Sequence, residues 1–579
     1  MSKQLAQPHG DSGHWYSFGE FTLDLTRASL LRNGQEVRLR PKSFDTLRYM
    51  VENPGRLITK KEMIEMLWPD SFVSDESLAQ CLKDVRRALD DNDQRYVKTI
   101  QRRGYMFNAD VIGSVQLSVN TQSRSIAVLP FKPLNADESD KYLGLAMADT
   151  LITKLGSLGE VIVRPTSAIQ SYMSTDRDTL SAGREQRVDT VLEGSIQRSS
   201  DKVRVTVRLM NVMDGSTLWT YKCDESCADM FAMEDAISEK LAGALSIRLT
   251  GEKRQRLAKR HTENPEAHQL YIKGVFFRNQ MTEEALKKSI EYFQKAIQLD
   301  PRYALAYAGQ ASSYSPLAYL GLITVAEAEL TNRKLIMKAL ELDSTLAEVH
   351  GALAEFKLFI EWDWEGAESA FKRAIELNPS EQLAHLLYPD LLLIKGRSKE
   401  AITLSKLALE NDPLSPRTGK ALAWVCFYAG QYDQAIEQFN KTRELFPTYG
   451  PINLGPSYEA KGMYDQAVKE YLDAESRGGM RAEEITTLLQ AYEESGWQGY
   501  WRKRLELIKT QAKERPVPAA LLAELYARVG ENAMALDWLE RAFEMREMSL
   551  VLLKVDPKWI SIRSEPRFRE ILHRLRLAD

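Results

Sequence analysis

The chain has 579 residues and a formal net charge of −4, and it is 44% hydrophobic and 27% charged. A chain this long exceeds what one hydrophobic core supports, so several domains are expected, and the composition excludes both general disorder and a membrane class. No apolar run approaches the roughly 18–20 residues that a bilayer-spanning helix needs; the densest, LLYPDLLLI at 386–394, is broken by Pro389 and Asp390.

The opening MSKQLAQPHGDSGHW lacks the apolar stretch of a secretory signal, so a cytoplasmic location is expected. Four cysteines in so long a chain cannot form a disulfide framework. Cys223 and Cys227 have a CxxxC spacing that would suit a redox pair or half a metal site, but no histidine or further cysteine follows nearby and both are read as plain small residues. The seven histidines are scattered outside any HExxH arrangement, and no phosphate-cradling GxxxxGK(S/T) loop occurs. Neither cofactor nor metal is expected.

The first hundred residues open as β-structure. In FTLDLTRASLLRNGQEVRLR, Phe21, Leu23 and Leu25 alternate with polar residues, and Asn33-Gly34 supplies the positive-φ pair of a two-residue hairpin. Three helices follow. Pro41 opens the first, with Phe44, Leu47 and Val51 on its apolar face and Asn53-Pro54-Gly55 ending it. Thr59-Lys60-Lys61-Glu62 has the form of a capping box for the second, which stops near Trp68-Pro69. In the third, SDESLAQCLKDVRRALDD, Leu78, Leu82, Val85 and Leu89 form one stripe. Burying that stripe turns Gln80, Lys83 and Arg87 outward, with Ser77 near the helix start. YVKTIQRRGYMF then places a hairpin directly after the helix, with Gln101, Arg102 and Arg103 at or beside its tip. From Lys83 to Arg103 there are seven Lys or Arg against four Asp, a net +3 inside an acidic chain.

LRPKSFDTLRYMVENPGRLITKKEMIEMLWP, SLAQCLKDVRRALDD and YVKTIQRRGYMF together resemble the winged-helix DNA-binding domain of the OmpR and PhoB type, here over residues 15–110. The resemblance implies a third helix that enters the major groove and a wing that reaches the backbone or the adjoining minor groove. Transferred onto matching positions, it makes Gln80, Lys83 and Asp84 candidate base readers and Ser77, Arg86, Arg87 and Thr99 candidate phosphate contacts, with Gln101, Arg102 and Arg103 forming the wing. Gln80 is chemically suited to adenine. A carboxylate at Asp84 is repelled by phosphates unless it accepts from cytosine or pairs with Lys83 or Arg87.

After a polar connector near SVQLSVNTQSR the pattern becomes a small α/β domain over residues 124–250. SIAVLPF reads as a buried strand, KYLGLAMADTLITKLGSL as a helix and EVIVRP as a strand. TVLEGSIQR and KVRVTVRLMNV form a hairpin, STLWTYKC another strand and MFAMEDAISEKLAGALSIRL a closing helix. It resembles the module between a winged helix and helical repeats in multidomain bacterial regulators, related to the amino-terminal domain of TolB. Arg204 and Arg208 are read either as an anion site or as the solvated face of an antiparallel strand.

From 264 to 579 the sequence repeats itself. Ala367, Ala401 and Ala435 are 34 residues apart, Ala467 follows 32 later, and Pro379, Pro413 and Pro447 keep the 34-residue step. WEGAESAFKRAIELNP, SKEAITLSKLALENDP and YDQAIEQFNKTRELFP align without gaps and resemble tetratricopeptide repeats. An insertion around YLGLITVAEAEL lengthens one step, Pro389 should kink a first helix, and VDPKWISIRSEPRFREILHRL reads as a terminal cap. Such a solenoid offers a groove to a protein segment, or serves as a dimerisation surface or spacer. Trp362, Trp364, Trp424, Tyr428 and Tyr432 would line a groove or fill the core.

The whole order resembles HilA-like and CadC-like regulators, without the membrane-spanning helix of the CadC type and without an amino-terminal receiver domain. The expected fold class is multidomain: an α+β winged helix-turn-helix, a small α/β domain and an all-α solenoid. The expected function is a bacterial, cytoplasmic, sequence-specific transcriptional regulator, not an enzyme. Its expected partners are double-stranded DNA, a protein held by the repeats and another copy of the chain. The alternative is an interaction scaffold that uses the winged helix for docking.

Overall fold

The structure is a computed structural model that describes residues 15–577 except 25–28, 33, 52, 54, 68–74, 92, 101–102, 110–111, 114–124, 135–137, 174–177, 200–201, 227–229, 248, 447–453 and 515–516. Leu25, Asn33, Pro54, Trp68, Pro69, Gln101, Arg102, Cys227 and Pro447 lie outside the described residues. The chain divides into two compact units, Met1–Gln122 and Ser123–Asp579.

In the first unit, β1 (Trp15–Phe18), β2 (Phe21–Asp24), β3 (Ser29–Arg32) and β4 (Gln35–Val37) make an antiparallel meander. Arg32 pairs with Gln35 and Gly34 has φ +84°, as a two-residue hairpin requires. Helix α1 (Pro41–Val51) buries Phe44, Leu47 and Val51. Helix α2 (Lys60–Leu67) begins where the Thr59 hydroxyl accepts from Glu62 N (3.2 Å); the Glu62 carboxylate takes the Tyr49 hydroxyl (2.9 Å) and pairs with Arg56 (2.8 Å). Helix α3 (Asp75–Ala88) carries Leu78, Leu82 and Val85, and with Leu89 just after it the four side chains are at most 2% exposed. They pack with Phe18, Phe21, Tyr96 and Phe107 into one core. Strands β5 (Val97–Ile100) and β6 (Gly104–Phe107) form a separate hairpin, and β7 (Ile112–Gly113) returns to β1.

The second unit begins with strands β8 (Ser125–Val128) and β9 (Lys132–Pro133) and helix α4 (Glu138–Gly156), followed by β10 (Ile162–Val163). Two short helices that the sequence pattern did not indicate, α5 (Thr166–Ile169) and α6 (Thr179–Glu185), precede the long strands β11 (Thr190–Ser199), β12 (Lys202–Asn211) and β13 (Thr217–Ser226). The sheet order is β10-β8-β11-β12-β13, parallel on one side and antiparallel on the other, with β9 beside β11. Along β12, Val203, Val205, Val207 and Leu209 are at most 2% exposed, so the period-2 alternation does decide the buried face. Helix α7 (Met230–Ala244) closes the layer with Met233, Ile237 and Leu241 fully buried. After α8 (Gly251–Ala258) comes α9 (Pro265–Arg278), whose Ile272 belongs to the same buried cluster as the sheet. The α/β layer and the repeats therefore share a core.

Paired helices follow. Helix α9 packs with α10 (Glu283–Leu299), α11 (Ala304–Tyr319) with α12 (Val325–Leu342), α13 (Ala347–Phe356) with α14 (Trp364–Leu377) and α15 (Gln382–Ile394) with α16 (Ser398–Asn411). The series continues through α17 (Pro416–Tyr428) and α18 (Tyr432–Leu445), α19 (Gly455–Ala460) and α20 (Tyr464–Arg477), and α21 (Ala482–Gln511), which breaks at Gly496. Helices α22 (Ala519–Arg528) and α23 (Asn532–Glu544) form the last pair, before α24 (Pro566–Arg574). The periodic Ala367, Ala401, Ala435 and Ala467 are each fully buried, which is why small residues recur there. The predicted insertion is the turn between α11 and α12, closed by a capping box of Thr324 and Glu327. Helix α15 runs through Pro389, and α11 contains Pro316 as well. In the tail, Trp559, Ile562 and Phe568 are at most 2% exposed.

Candidate nucleic-acid interface

Burial of the Leu78 stripe leaves one face of α3 in solvent. Gln80, Lys83 and Arg87 are exposed on it, and Ser77 is half-buried in the first turn. The Gln80 side-chain nitrogen donates to Asp84 Oδ1 (3.0 Å). Asp84 itself faces α1: its side chain is only 10% exposed, it accepts from the Ser43 hydroxyl (3.3 Å), and Arg40 (3.7 Å) and Arg87 (4.0 Å) flank it. The carboxylate thus orients Gln80 and Arg87 rather than pointing outward. Arg86 also turns inward, because its Nη2 donates to Val97 O (3.0 Å) and to Thr99 Oγ1 (2.7 Å), tying α3 to the first wing strand. Of the residues nominated from the sequence, Lys83, Arg87 and Gln80 are displayed, whereas Asp84 holds Gln80 and flanks Arg87 and Arg86 ties the helix to the wing.

The wing is anchored at its glycine. Ile58 exchanges backbone hydrogen bonds with Tyr105 (2.8 and 2.9 Å), so the segment before α2 runs against β6. Gly104 sits at that junction with φ +144°, and a Cβ there would stand 2.0 Å from Ile58 O. No side chain fits. The Arg103 amide donates to Ile100 O (3.0 Å), closing the turn, and the Arg103 and Thr99 side chains are both exposed. At the wing's base, buried Asp91 accepts from the amides of Tyr96 (3.0 Å) and Val97 (2.7 Å), which fixes where the hairpin leaves the helix. Sequence reading missed Ser43, Arg40 and Asp91, since their roles depend on contacts between segments.

Residues 34–107 match the family described as transcriptional regulatory protein, C terminal, and residues 121–240 match the HilA/YgeH-like transcriptional regulator, second domain. The chain carries an OmpR/PhoB-type winged helix followed by a HilA-like second domain. Transcriptional regulator HilA of Salmonella typhi is 23% identical over 443 residues, covering 76% of this chain and 78% of that protein. Transcriptional activator CadC of Escherichia coli (strain K12) is 29% identical over 97 residues, covering 16% of this chain and 19% of that one. The solved DNA-binding domain of E. coli CadC is 27% identical, covering 17% of this chain and 96% of that one, with a TM-score of 0.16.

Outside the winged helix, the residues singled out from the sequence resolve differently. In the HilA-like domain, Arg204 is held by both oxygens of Asp224 (2.7 and 3.0 Å) and Arg208 lies 3.3 Å from Glu193, so these two arginines form cross-strand pairs on a solvated sheet face. Cys223 is a buried free thiol whose pKa burial raises. Among the described residues no cluster of His, Cys, Asp or Glu could hold a metal, and no helix is long and apolar enough to cross a membrane. In the repeats, Trp362 and Trp364 are 9% and 7% exposed and belong to the packing, whereas Trp424, Tyr428 and Tyr432 are half-buried on a cleft. A smaller chamber of about 110 Å³ lies among α4, α9, α11 and α13, with Asp149, Glu348 and Glu381 in its wall. Burial raises all three carboxyls, Asp149 to about 6 and Glu381 to about 7.

Proposed function

We propose that this chain is a sequence-specific DNA-binding transcriptional regulator that inserts α3 into the major groove and lays its wing on the backbone. The single observation that carries the reading is the exposed Gln80, Lys83, Arg87 face of α3 set beside the wing that Gly104 anchors. Lys83, Arg87 and Arg103, with Arg102, neutralise phosphates and release counterions, while Ser77 and Thr99 supply hydroxyl donors to the backbone. The wing's Gln101 is assigned a polar contact at the groove edge. Arg86 and Asp84 act one step back, as positioning residues. The repeats serve a protein partner or self-association, and the chain works in the cytoplasm without chemistry of its own.

Gln80 reads the sequence, and Asp84 decides how. With its amide nitrogen donated to Asp84, Gln80 offers the groove an oxygen acceptor. An acceptor at that point pairs with an exocyclic amine, adenine N6 or cytosine N4. Gln80→Ala is expected to flatten base preference at one position, by about 1–2 kcal/mol. Asp84→Ala frees the amide to turn and is expected to shift that position toward adenine, which a freed Gln can bind with both its groups. Selection of random duplexes by the full chain, followed by sequencing, measures both. Unchanged selection in both variants overturns the assignment of Gln80, and no duplex affinity in the parent chain favours the docking-module reading.

A further inference from the structure

The sheet of the HilA-like domain ends unevenly. At one edge β10 has two residues, whereas β13 at the other has ten, without a proline, and no described strand lies beyond it. A strand of that length presents N–H and C=O groups along its outer side that are left to water or to another strand. The hydrophobic layer also stops short there. Val207 and Leu209 of β12 are at most 1% exposed, but Tyr221 and Trp219, which pair with them, are half-buried, their rings stacked at 5.8 Å between centroids.

The charges along β13 sort by face. Lys222 and Asp224 pair with Thr206 and Arg204 on the solvated face, whereas Tyr221, Cys223 and Glu225 pair with Val207, Val205 and Val203 on the buried one. Asp224 is held by Arg204, while the exposed Lys222 has no ion pair among the described residues. On the other face the half-buried Glu225 and the exposed Lys240 of α7, which stands 5.3 Å from the centroid of the Tyr221 ring, are likewise without ion pairs among the described residues.

We infer that β13 pairs antiparallel with β13 of a second copy of this chain, about a two-fold axis at Cys223. An axis perpendicular to the sheet keeps the helices of both copies on one side and sets each residue opposite one of the same face. The charges then choose among the registers. An axis at Lys222 sets Lys222 against itself and one at Asp224 sets Asp224 against itself, and like charges directly opposite destabilise a strand pair. An axis at Tyr221 gives Lys222 and Asp224 only Thr220 and Leu218. With the axis at Cys223, Lys222 faces Asp224 of the second copy at two symmetric points, and a carboxylate that already takes a guanidinium can accept a further donor. The same register sets Glu225 opposite the second copy's Tyr221, under Lys240 of that copy. Self-association thereby has a place outside the repeats, independent of the reading of α3, and joins two winged helices in one assembly.

The test is sedimentation of the full chain over a range of concentrations, where a dimer is expected. Lys222→Glu and Asp224→Lys each set like charges opposite at two points and are each expected to raise the dimer dissociation constant about tenfold, with unchanged circular dichroism because both side chains are exposed. Mixing the two variants restores opposite charges at both points and is expected to restore the parent's affinity. A parent chain that stays monomeric, or variants that dimerise as tightly as the parent, overturns the β13 interface. Variants that are weakened and stay so when mixed overturn the Cys223 register. Duplex selection by the same preparations reports on α3 separately, so failure here leaves that reading intact.

Discussion

Arginine does different work in the winged helix and in the repeats. On α3 the Arg87 side chain is 72% exposed, and its carboxylate neighbour, at 4.0 Å, contributes little in water. In the array, Arg528 is 7% exposed, bound to Glu459 and to Glu524 (3.0 Å), and stacked on Trp501. There a charge removed from water has to be matched, and losing one partner strands the others. The difference teaches that a cation signals an external ligand only where the fold leaves it in solvent without a committed partner.

The largest effect that would sharpen this contrast is Arg528→Ala. It takes the buried guanidinium from the half-buried Glu459 and Glu524, which keep only the Tyr471 hydroxyl and Lys558, and is expected to cost about 3 kcal/mol of stability in denaturant unfolding, with duplex affinity kept. A comparable fall in duplex affinity would break the comparison. Gly104→Ala is next: with Ile58 O in the way and a positive φ, about 3 kcal/mol of winged-helix stability should be lost, and duplex binding with it. Thermal melting followed by a binding assay separates the two effects.

Lys83→Ala with Arg87→Ala should leave melting within about 0.5 kcal/mol, as exposed substitutions do. It should weaken duplex binding by about 100-fold and reduce the salt slope by about 2. Filter binding at two salt concentrations checks it, and an unchanged slope would count against phosphate contact.

The smallest effect concerns pH. Glu381 in the folded chain holds its proton up to about pH 7, against 4.5 ordinarily. Between those values the folded state binds a proton that the unfolded state has released, so stability falls as pH rises through the window and levels off above it. Asp149, raised to about 6, and Glu355 and Asp390, raised to about 7, act in the same direction. His261 and His268, lowered to about 4 by burial, act in the opposite sense, adding stability as pH rises from about 4 to 6.5. Glu381→Gln is expected to gain about 1–2 kcal/mol at pH 8 and almost nothing at pH 5, measured by melting at the two values. An equal change at both would remove the titration from the account.

Much of the winged helix was legible because its signals are local. Leu78, Leu82, Val85 and Leu89 fix the rotation of α3 without reference to any other segment, and that rotation alone turns Lys83 and Arg87 outward. Arg86 shows where this logic stops. It shares the helix and the residue type of Arg87, yet it bonds to Val97 and Thr99, eleven and thirteen residues on. The alternation along β12 likewise read correctly, whereas α5 and α6 were missed because four and seven residues are too few to show a helical period.

The sequence by itself determined the order of winged helix, mixed sheet and helix pairs and the face that α3 presents, since periodicity and small-residue spacing depend on neighbours within one or two turns. Only the tertiary structure decided that Asp84 serves Gln80, that Gly104 is required by the Ile58 carbonyl, and that Met548–Leu552 of the tail pack against α11 and α15. Each of these depends on an approach between residues far apart in the chain, which excluded volume and hydrogen bonding settle only once the backbone has closed.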